Sequence, residues 1–132
     1  MLARTEKILL VDDMKTMLFI VKQTVEQLGY RNLETAKDGK TAWAFLESCV
    51  EFNRLPGLII SDWTMPEMDG LELLKKVRAD EKLKNIPFLL LTGKSELLDV
   101  QTAIKERVSG YLTKPFAPND LLATMEKIFK AR

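Results

Sequence analysis

The chain has 132 residues, of which 46% are hydrophobic, and its 20 Lys and Arg residues nearly balance 19 Asp and Glu residues for a net charge of +1. These values are typical of one globular domain and give no electrostatic support for a nucleic-acid or membrane-surface role. With no histidine and one cysteine, Cys49, the sequence excludes an internal disulfide, a Cys/His zinc site and a Ser/His/Asp triad. Any chemistry must use carboxylates, hydroxyls and lysines.

Nothing in the sequence resembles a membrane-spanning or secretory segment. The longest apolar runs, such as Phe88 to Leu91, are too short to cross a bilayer. At the N-terminus, MLARTEKILLVDD carries charges where a signal peptide has its apolar region. We therefore expect a cytoplasmic protein.

Short apolar runs alternate with segments of helical periodicity along the chain. In order, these predict strand Lys7 to Val11, a helix around Met17 to Leu28 before Gly29, strand Leu33 to Ala36, helix Thr41 to Val50, strand Leu58 to Ser61, helix Leu71 to Arg78, strand Phe88 to Thr92, helix Glu96 to Val108, strand Gly110 to Thr113 and helix Asn119 to Phe129. The first, third and fourth strands are apolar almost throughout, as in strands covered on both faces. The pattern predicts one doubly wound α/β domain over residues 1–132, with a five-stranded parallel sheet and helices on both faces.

Polar residues follow the strands at the edge where a parallel sheet binds its ligands. Asp12 and Asp13 follow the first strand, Asp62 the third and Lys114 the fifth, while Thr92 closes the fourth. Three carboxylates in one crevice repel one another unless a cation lies among them. Magnesium suits such a site, because it prefers oxygen ligands and needs neither His nor Cys. Taken singly, each of these residues is more commonly a turn, cap or solvated residue.

Together these residues carry a resemblance to a known family. VDDMKTM at 11–17, SDWTMPEMDGLELLKKVRAD at 61–80 and SGYLTKPF at 109–116 resemble the receiver domains of two-component response regulators, and the single-domain chemotaxis regulators among them. The similarity covers about residues 7–129. It implies the strand order 2-1-3-4-5 of flavodoxin-like folds, which periodicity alone does not give.

The resemblance also implies a role for each residue of the crevice. Asp62 is expected to accept a phosphoryl group from a phosphohistidine on a histidine kinase. Asp13 and Asp62 are expected to bind Mg²⁺ directly, with the backbone carbonyl of Thr64 as a third ligand and Asp12 acting through water. Lys114 is expected to bind a phosphoryl oxygen.

A conformational switch is implied as well. In receivers the hydroxyl at the position of Thr92 moves to the phosphoryl group and the aromatic ring at the position of Tyr111 turns inward. The face of helix four, strand five and helix five then changes and binds a downstream protein. Thr64 and Lys94 occupy positions that tune the lifetime of the phosphoryl group, and the Lys114–Pro115 peptide is expected to be cis. Trp63, next to Asp62, is expected at the loop surface.

The resulting hypothesis is a phosphorylation-controlled binding module of chemotaxis or motility, acting on the flagellar motor switch or another signalling protein. It phosphorylates and dephosphorylates itself and is not expected to act as an enzyme on a separate substrate. Three alternatives remain: a receiver cut from a longer regulator with a DNA-binding or enzymatic output domain, a magnesium-dependent aspartyl-phosphate phosphotransferase, and a scaffold that is never phosphorylated.

Overall fold

The computed structural model describes residues 1–93 and 100–131. Its strands are β1 (Ile8–Val11), β2 (Leu33–Ala36), β3 (Leu58–Asp62), β4 (Phe88–Thr92) and β5 (Gly110–Thr113). Its helices are α1 (Lys15–Gln27), α2 (Gly39–Glu51), α3 (Gly70–Ala79), α4 (Val100–Lys105) and α5 (Pro118–Lys130). The strands form one parallel sheet in the order β2-β1-β3-β4-β5, which confirms the predicted fold and strand order.

Two apolar clusters cover the two faces of the sheet. Along β1, Leu9 and Val11 belong to the cluster that includes side chains of α2 and α3, whereas Ile8 and Leu10 belong to the cluster of α1 and α5. All four are at most 2% exposed. This alternation follows from the two-residue period of a strand and places helices on both faces, as predicted.

The predicted end of the fourth helix is wrong. Its predicted first residues, 96–99, lie outside the described part of the chain, but the helix ends at Lys105 rather than Val108. Arg107 has φ +64°, and its N–H donates to Ile104 O at 3.0 Å while the Val108 N–H donates to Ala103 O at 3.0 Å. These are the two bonds of a Schellman ending, which helical periodicity does not reveal when the left-handed residue is not glycine.

The edge of the sheet at which the strands begin, here called the amino edge, is held by buried polar side chains. Arg78, 8% exposed, donates to Arg107 O at 2.9 Å, Ile86 O at 2.7 Å and Lys84 O at 3.0 Å. The Tyr30 hydroxyl donates to Leu2 O at 2.7 Å. Segments that lead into the strands are therefore fastened through their carbonyl groups.

The strand register brings the opposite ends of the strands, here called the carboxyl edge, to one level. Val11 pairs with Ser61, so Asp12 and Asp62 follow side by side. Asp62 pairs with Leu91, and Thr92 pairs with Thr113, next to Lys114. Within the described residues, no helix is long and apolar enough to cross a membrane.

Candidate functional site

Three carboxylates meet at the carboxyl edge. Asp12, Asp13 and Asp62 each offer an oxygen, and these oxygens lie within 4.8 Å of one another. Asp12 and Asp62 are buried, at 2% and 6% exposure, because they continue central strands, whereas Asp13 is exposed at the mouth. The predicted acidic cluster is therefore present in the fold.

Lys114 is the cation nearest to the two buried acids among the described contacts. Its Nζ lies 2.8 Å from Asp62 Oδ1 and 3.8 Å from Asp12 Oδ2. The lysine follows β5, and its backbone N–H donates to Thr92 O at 2.8 Å, which fixes the start of the loop that carries it. The Lys114–Pro115 peptide is cis, as the resemblance implied.

Burial raises the pKa of both buried acids. Desolvation raises the pKa of Asp62, and the hydrogen bond and charge of Lys114 oppose this rise. Desolvation likewise raises the pKa of Asp12, against the hydrogen bond from the Met14 N–H at 2.9 Å. At Asp62 the effect of burial on the pKa therefore outweighs the opposing effect of Lys114.

The two oxygens of Asp62 have different surroundings. Oδ1 accepts from Lys114 Nζ at 2.8 Å and from the Trp63 N–H at 2.9 Å. Because two donors hold Oδ1 in place, the carboxylate plane is fixed relative to the mouth of the site.

Two buried polar atoms at this edge have no hydrogen-bond partner among the described residues: Thr92 Oγ1 and Asp12 Oδ2. Thr92 is fully buried at the end of the strand adjacent to Asp62. Buried polar atoms in folded proteins are nearly always paired, and the exceptions include catalytic groups and atoms that bind an ion or a water. The oxygen-only donor set, with no His or Cys, fits a hard divalent cation such as Mg²⁺.

The loop after Asp62, residues 63–69, carries Thr64. Trp63 anchors its start through an N–H bond to Leu91 O at 3.0 Å, and the Gly70 N–H closes it by donating to Trp63 O at 2.7 Å. Met65 is buried, whereas Thr64 is exposed on the outer side of the loop. A side chain at position 70 would collide with the carbonyl oxygen of Asp62, so the return of the chain here requires glycine.

The two expected switch residues lie on neighbouring strands. Leu90 pairs with Tyr111 and Thr92 with Thr113, so the side chains of Thr92 and Tyr111 project to the same face of the sheet. Tyr111 is 42% exposed and Thr92 is fully buried. Lys94, expected to tune the phosphoryl lifetime, lies outside the described residues.

Sequence reasoning missed three features of this site. The expectation that Trp63 lies at the loop surface is wrong, since Trp63 is 5% exposed and packs in the core. The backbone donors Met14 and Trp63 hold Asp12 and Asp62, and backbone roles leave no trace in residue type. Gly39 packs against the 63–69 loop, which only the Asp38-Gly39 pair before a helix could have suggested.

Comparison with known proteins defines the class of this fold and site. The model of the response regulator receiver domain matches residues 8–126, so the chain belongs to the response regulator receiver domain family. The chemotaxis protein CheY1 of Helicobacter pylori is 42% identical over 122 residues, which cover 92% of this chain and 95% of that protein. The chain is thus a receiver domain of the CheY type.

Solved structures agree with this assignment. The chemotaxis protein CheY4 of Vibrio cholerae superposes with a TM-score of 0.81 at 35% identity, over 94% of this chain and 98% of that one. The receiver domain of a sensor histidine kinase from Pseudomonas aeruginosa superposes with a TM-score of 0.81 at 25% identity, over 96% and 98% of the two chains. That structure has a magnesium ion coordinated in its active site cleft.

Proposed function

We propose that residues 1–132 act as one phosphorylation-controlled receiver in chemotaxis or motility signalling, with Asp62 as the phosphoacceptor and a histidine kinase as the phosphodonor. The observation that carries the proposal is the cluster of Asp12, Asp13 and Asp62 with Lys114 held 2.8 Å from Asp62. Three carboxylates this close to one another repel unless positive charge lies among them. Similarity to chemotaxis proteins over most of the chain supports the same process.

Asp13, Asp62 and the backbone carbonyl of Thr64 would bind Mg²⁺ directly, and Asp12 would act through water. When bound, the metal supplies positive charge that screens the incoming phosphoryl oxygens from the carboxylates. The magnesium ion in the related receiver of the Pseudomonas aeruginosa kinase supports this choice of metal.

Phosphoryl transfer would use Oδ2 of Asp62, because Lys114 and the Trp63 N–H already hold Oδ1. Oδ2 attacks phosphorus, an O–P bond forms, the P–N bond to the imidazole of the kinase phosphohistidine breaks, and the released imidazole keeps the bond electrons and takes up a proton. Lys114 and the Trp63 N–H hold Oδ1, so the attacking oxygen keeps its orientation. In the product Lys114 binds a phosphoryl oxygen.

Thr92 would then form a hydrogen bond to the phosphoryl group. Its buried hydroxyl, unpaired among the described residues, is available to donate to a phosphoryl oxygen. Tyr111 would turn inward from its exposed position on β5, and the α4/β5/α5 face would bind a downstream protein such as the flagellar motor switch. Thr64 and Lys94 would set how fast water removes the phosphoryl group.

Intact mass measurement tests this proposal directly. The chain is incubated with acetyl phosphate, with magnesium or with a chelator, beside Asp62→Asn and the control Asp80→Asn, whose carboxylate lies at the far end of α3. We expect one added phosphoryl group in the wild type and in Asp80→Asn, only with magnesium, and none in Asp62→Asn. An equal adduct in Asp62→Asn, or no adduct in a wild type that binds magnesium, would contradict the proposal.

A further inference from the structure

The first residue of α2 packs against the loop that carries Thr64. Gly39 is buried, and a Cβ placed on it would lie 2.9 Å from both Cβ and Cγ of Met68 and would overlap the Met68 carbonyl oxygen. Real side chains do not approach so closely, so the contact exists only because residue 39 has no side chain. The backbone of residue 68 therefore rests directly on the start of α2.

The start of α2 is fixed. The Asp38 side chain caps the helix by accepting from the Thr41 N–H at 2.7 Å, and Asp38 O accepts from the Ala42 N–H at 3.0 Å. Ala42 and Leu46, on the next turns, are fully buried in the core. If the two elements were pushed apart, the loop would move rather than the helix.

The loop has few other ways to adjust. Trp63 and Met65 are buried at its start, and the Gly70 N–H to Trp63 O bond of 2.7 Å closes its end. Glu67 already adopts φ +65°, a left-handed conformation that side chains disfavour. Residue 68 and Thr64 thus lie in one loop closed at both ends, and the contact with Gly39 is a further constraint on that loop.

From this packing we infer that Gly39 is a positioning residue for the metal site. It sets how closely the 63–69 loop approaches the start of α2 and thereby the position of the Thr64 carbonyl. The inference rests on the proposed function, in which that carbonyl binds Mg²⁺. Gly39 itself touches neither metal nor phosphoryl group. The nearby ion pair between Lys40 and Glu67, at 3.8 Å with both side chains about 70% exposed, is too solvated to do the same.

The test is the magnesium affinity of Gly39→Ala, read from the fluorescence of Trp63 in a Trp43→Phe background. We expect magnesium to bind about 10-fold more weakly, in line with the loss of groups that orient metal ligands. Lys40→Ala should stay within about twofold of the parent, as an exposed ion pair predicts. Urea unfolding of every variant separates affinity from stability.

Gly57→Ala is the matched control at the amino edge. A Cβ there would lie 2.9 Å from Leu2 Cδ1 and 3.1 Å from Glu6 Cβ, so this variant also crowds its neighbours. We expect it to lose stability with unchanged magnesium affinity. If Gly57→Ala and Gly39→Ala weakened magnesium binding equally, the effect would be general destabilisation and the inference would be overturned.

A second pair of variants serves if Gly39→Ala does not fold. Asp38→Ala removes the cap of α2 and Asp38→Ser retains it, while both remove the same charge. We expect Asp38→Ala to bind magnesium more weakly than Asp38→Ser, because the support beneath Met68 is loosened. Equal affinities in this pair would overturn the inference, whereas a wild type that binds no magnesium would overturn the proposed function and the inference together.

Discussion

The two edges of the sheet differ in the hydrogen-bond partners that their buried polar groups have. At the amino edge, Arg78 donates to three backbone carbonyls and the Tyr30 hydroxyl donates to a fourth. At the carboxyl edge, two buried carboxylates face one lysine, and the Thr92 hydroxyl has no partner among the described residues. The described residues thus supply hydrogen-bond partners for these polar groups of the amino edge, but none for Thr92 Oγ1 and Asp12 Oδ2 at the carboxyl edge.

This difference distinguishes buried polar groups that stabilise the fold from buried polar groups that reduce its stability. A buried donor with its acceptors in place stabilises the fold, and its loss leaves those acceptors unsatisfied. Burial of a carboxylate disfavours its charged form and raises its pKa, as for Asp12 and Asp62, and the partners of these two groups do not offset this effect. Burial alone therefore does not distinguish the two edges, whereas the number of partners does.

The largest effect is expected at the amino edge. Arg78→Met removes the donor to three backbone carbonyls, one of them buried and two part-buried, and should lower the free energy of unfolding by about 3 kcal/mol. Urea unfolding measures this, with Lys75→Met, an exposed position on the same helix, as the control. Magnesium affinity should not change in either variant, and a loss of affinity in Arg78→Met alone would break the separation of the two edges.

At the carboxyl edge the change in the free energy of unfolding is expected to have the opposite sign. Asp12→Asn removes a buried negative charge from beside Asp62 and should raise the free energy of unfolding without metal by about 1 kcal/mol. The same change should weaken magnesium binding by about 10-fold. The exposed Asp13 provides the comparison, since Asp13→Asn should leave the metal-free stability unchanged. Destabilisation by Asp12→Asn would show that this carboxylate is structural.

The pH dependence of the free energy of unfolding should also show that Asp12 reduces stability. The raised pKa of Asp12 means that, above its ordinary value of 3.8, the folded state holds more protons than the unfolded state. This contribution to stability falls as pH rises through the folded pKa and is constant above it. We therefore measure the free energy of unfolding in chelator from about pH 4 to about pH 8. It should fall less with rising pH in Asp12→Asn than in the wild type. Identical pH profiles would contradict the raised pKa.

The smallest effect is expected at Thr92. Thr92→Val removes a hydroxyl without a described partner and should change the free energy of unfolding by less than about 0.5 kcal/mol. Thr24→Val is the matched control, because the Thr24 hydroxyl donates to Ile20 O at 2.8 Å, and it should cost about 1 kcal/mol. Equal losses in the two variants would show that the Thr92 hydroxyl has a structural partner.

The sequence predicts more of the carboxyl edge than of the amino edge. Alternating apolar and helical segments predict the sheet, and the ends of central strands predict where Asp12, Asp62 and Lys114 meet. The strand order came from the resemblance, since periodicity contains no order. The contacts of Arg78 could not be predicted, because its acceptors are backbone carbonyls in segments far along the chain.

Local backbone geometry explains the remaining differences. The left-handed Arg107 ends α4 early, and the sequence gives no sign of it because glycine is the usual residue there. Trp63 is buried because the Gly70 N–H draws the loop back over the core. Close approach at Gly39 depends on how two separate elements pack, which residue type alone does not specify.

Magnesium-linked unfolding is the most direct test of the claim that the carboxyl edge is completed by a bound cation. Urea unfolding of the wild type should show stability that rises with magnesium, by about 2.7 kcal/mol at a hundredfold excess over Kd. Asp62→Asn should lose most of this gain, whereas Asp80→Asn should retain it. A wild type with the same stability at all magnesium concentrations, or an equal gain in Asp62→Asn, would contradict the account.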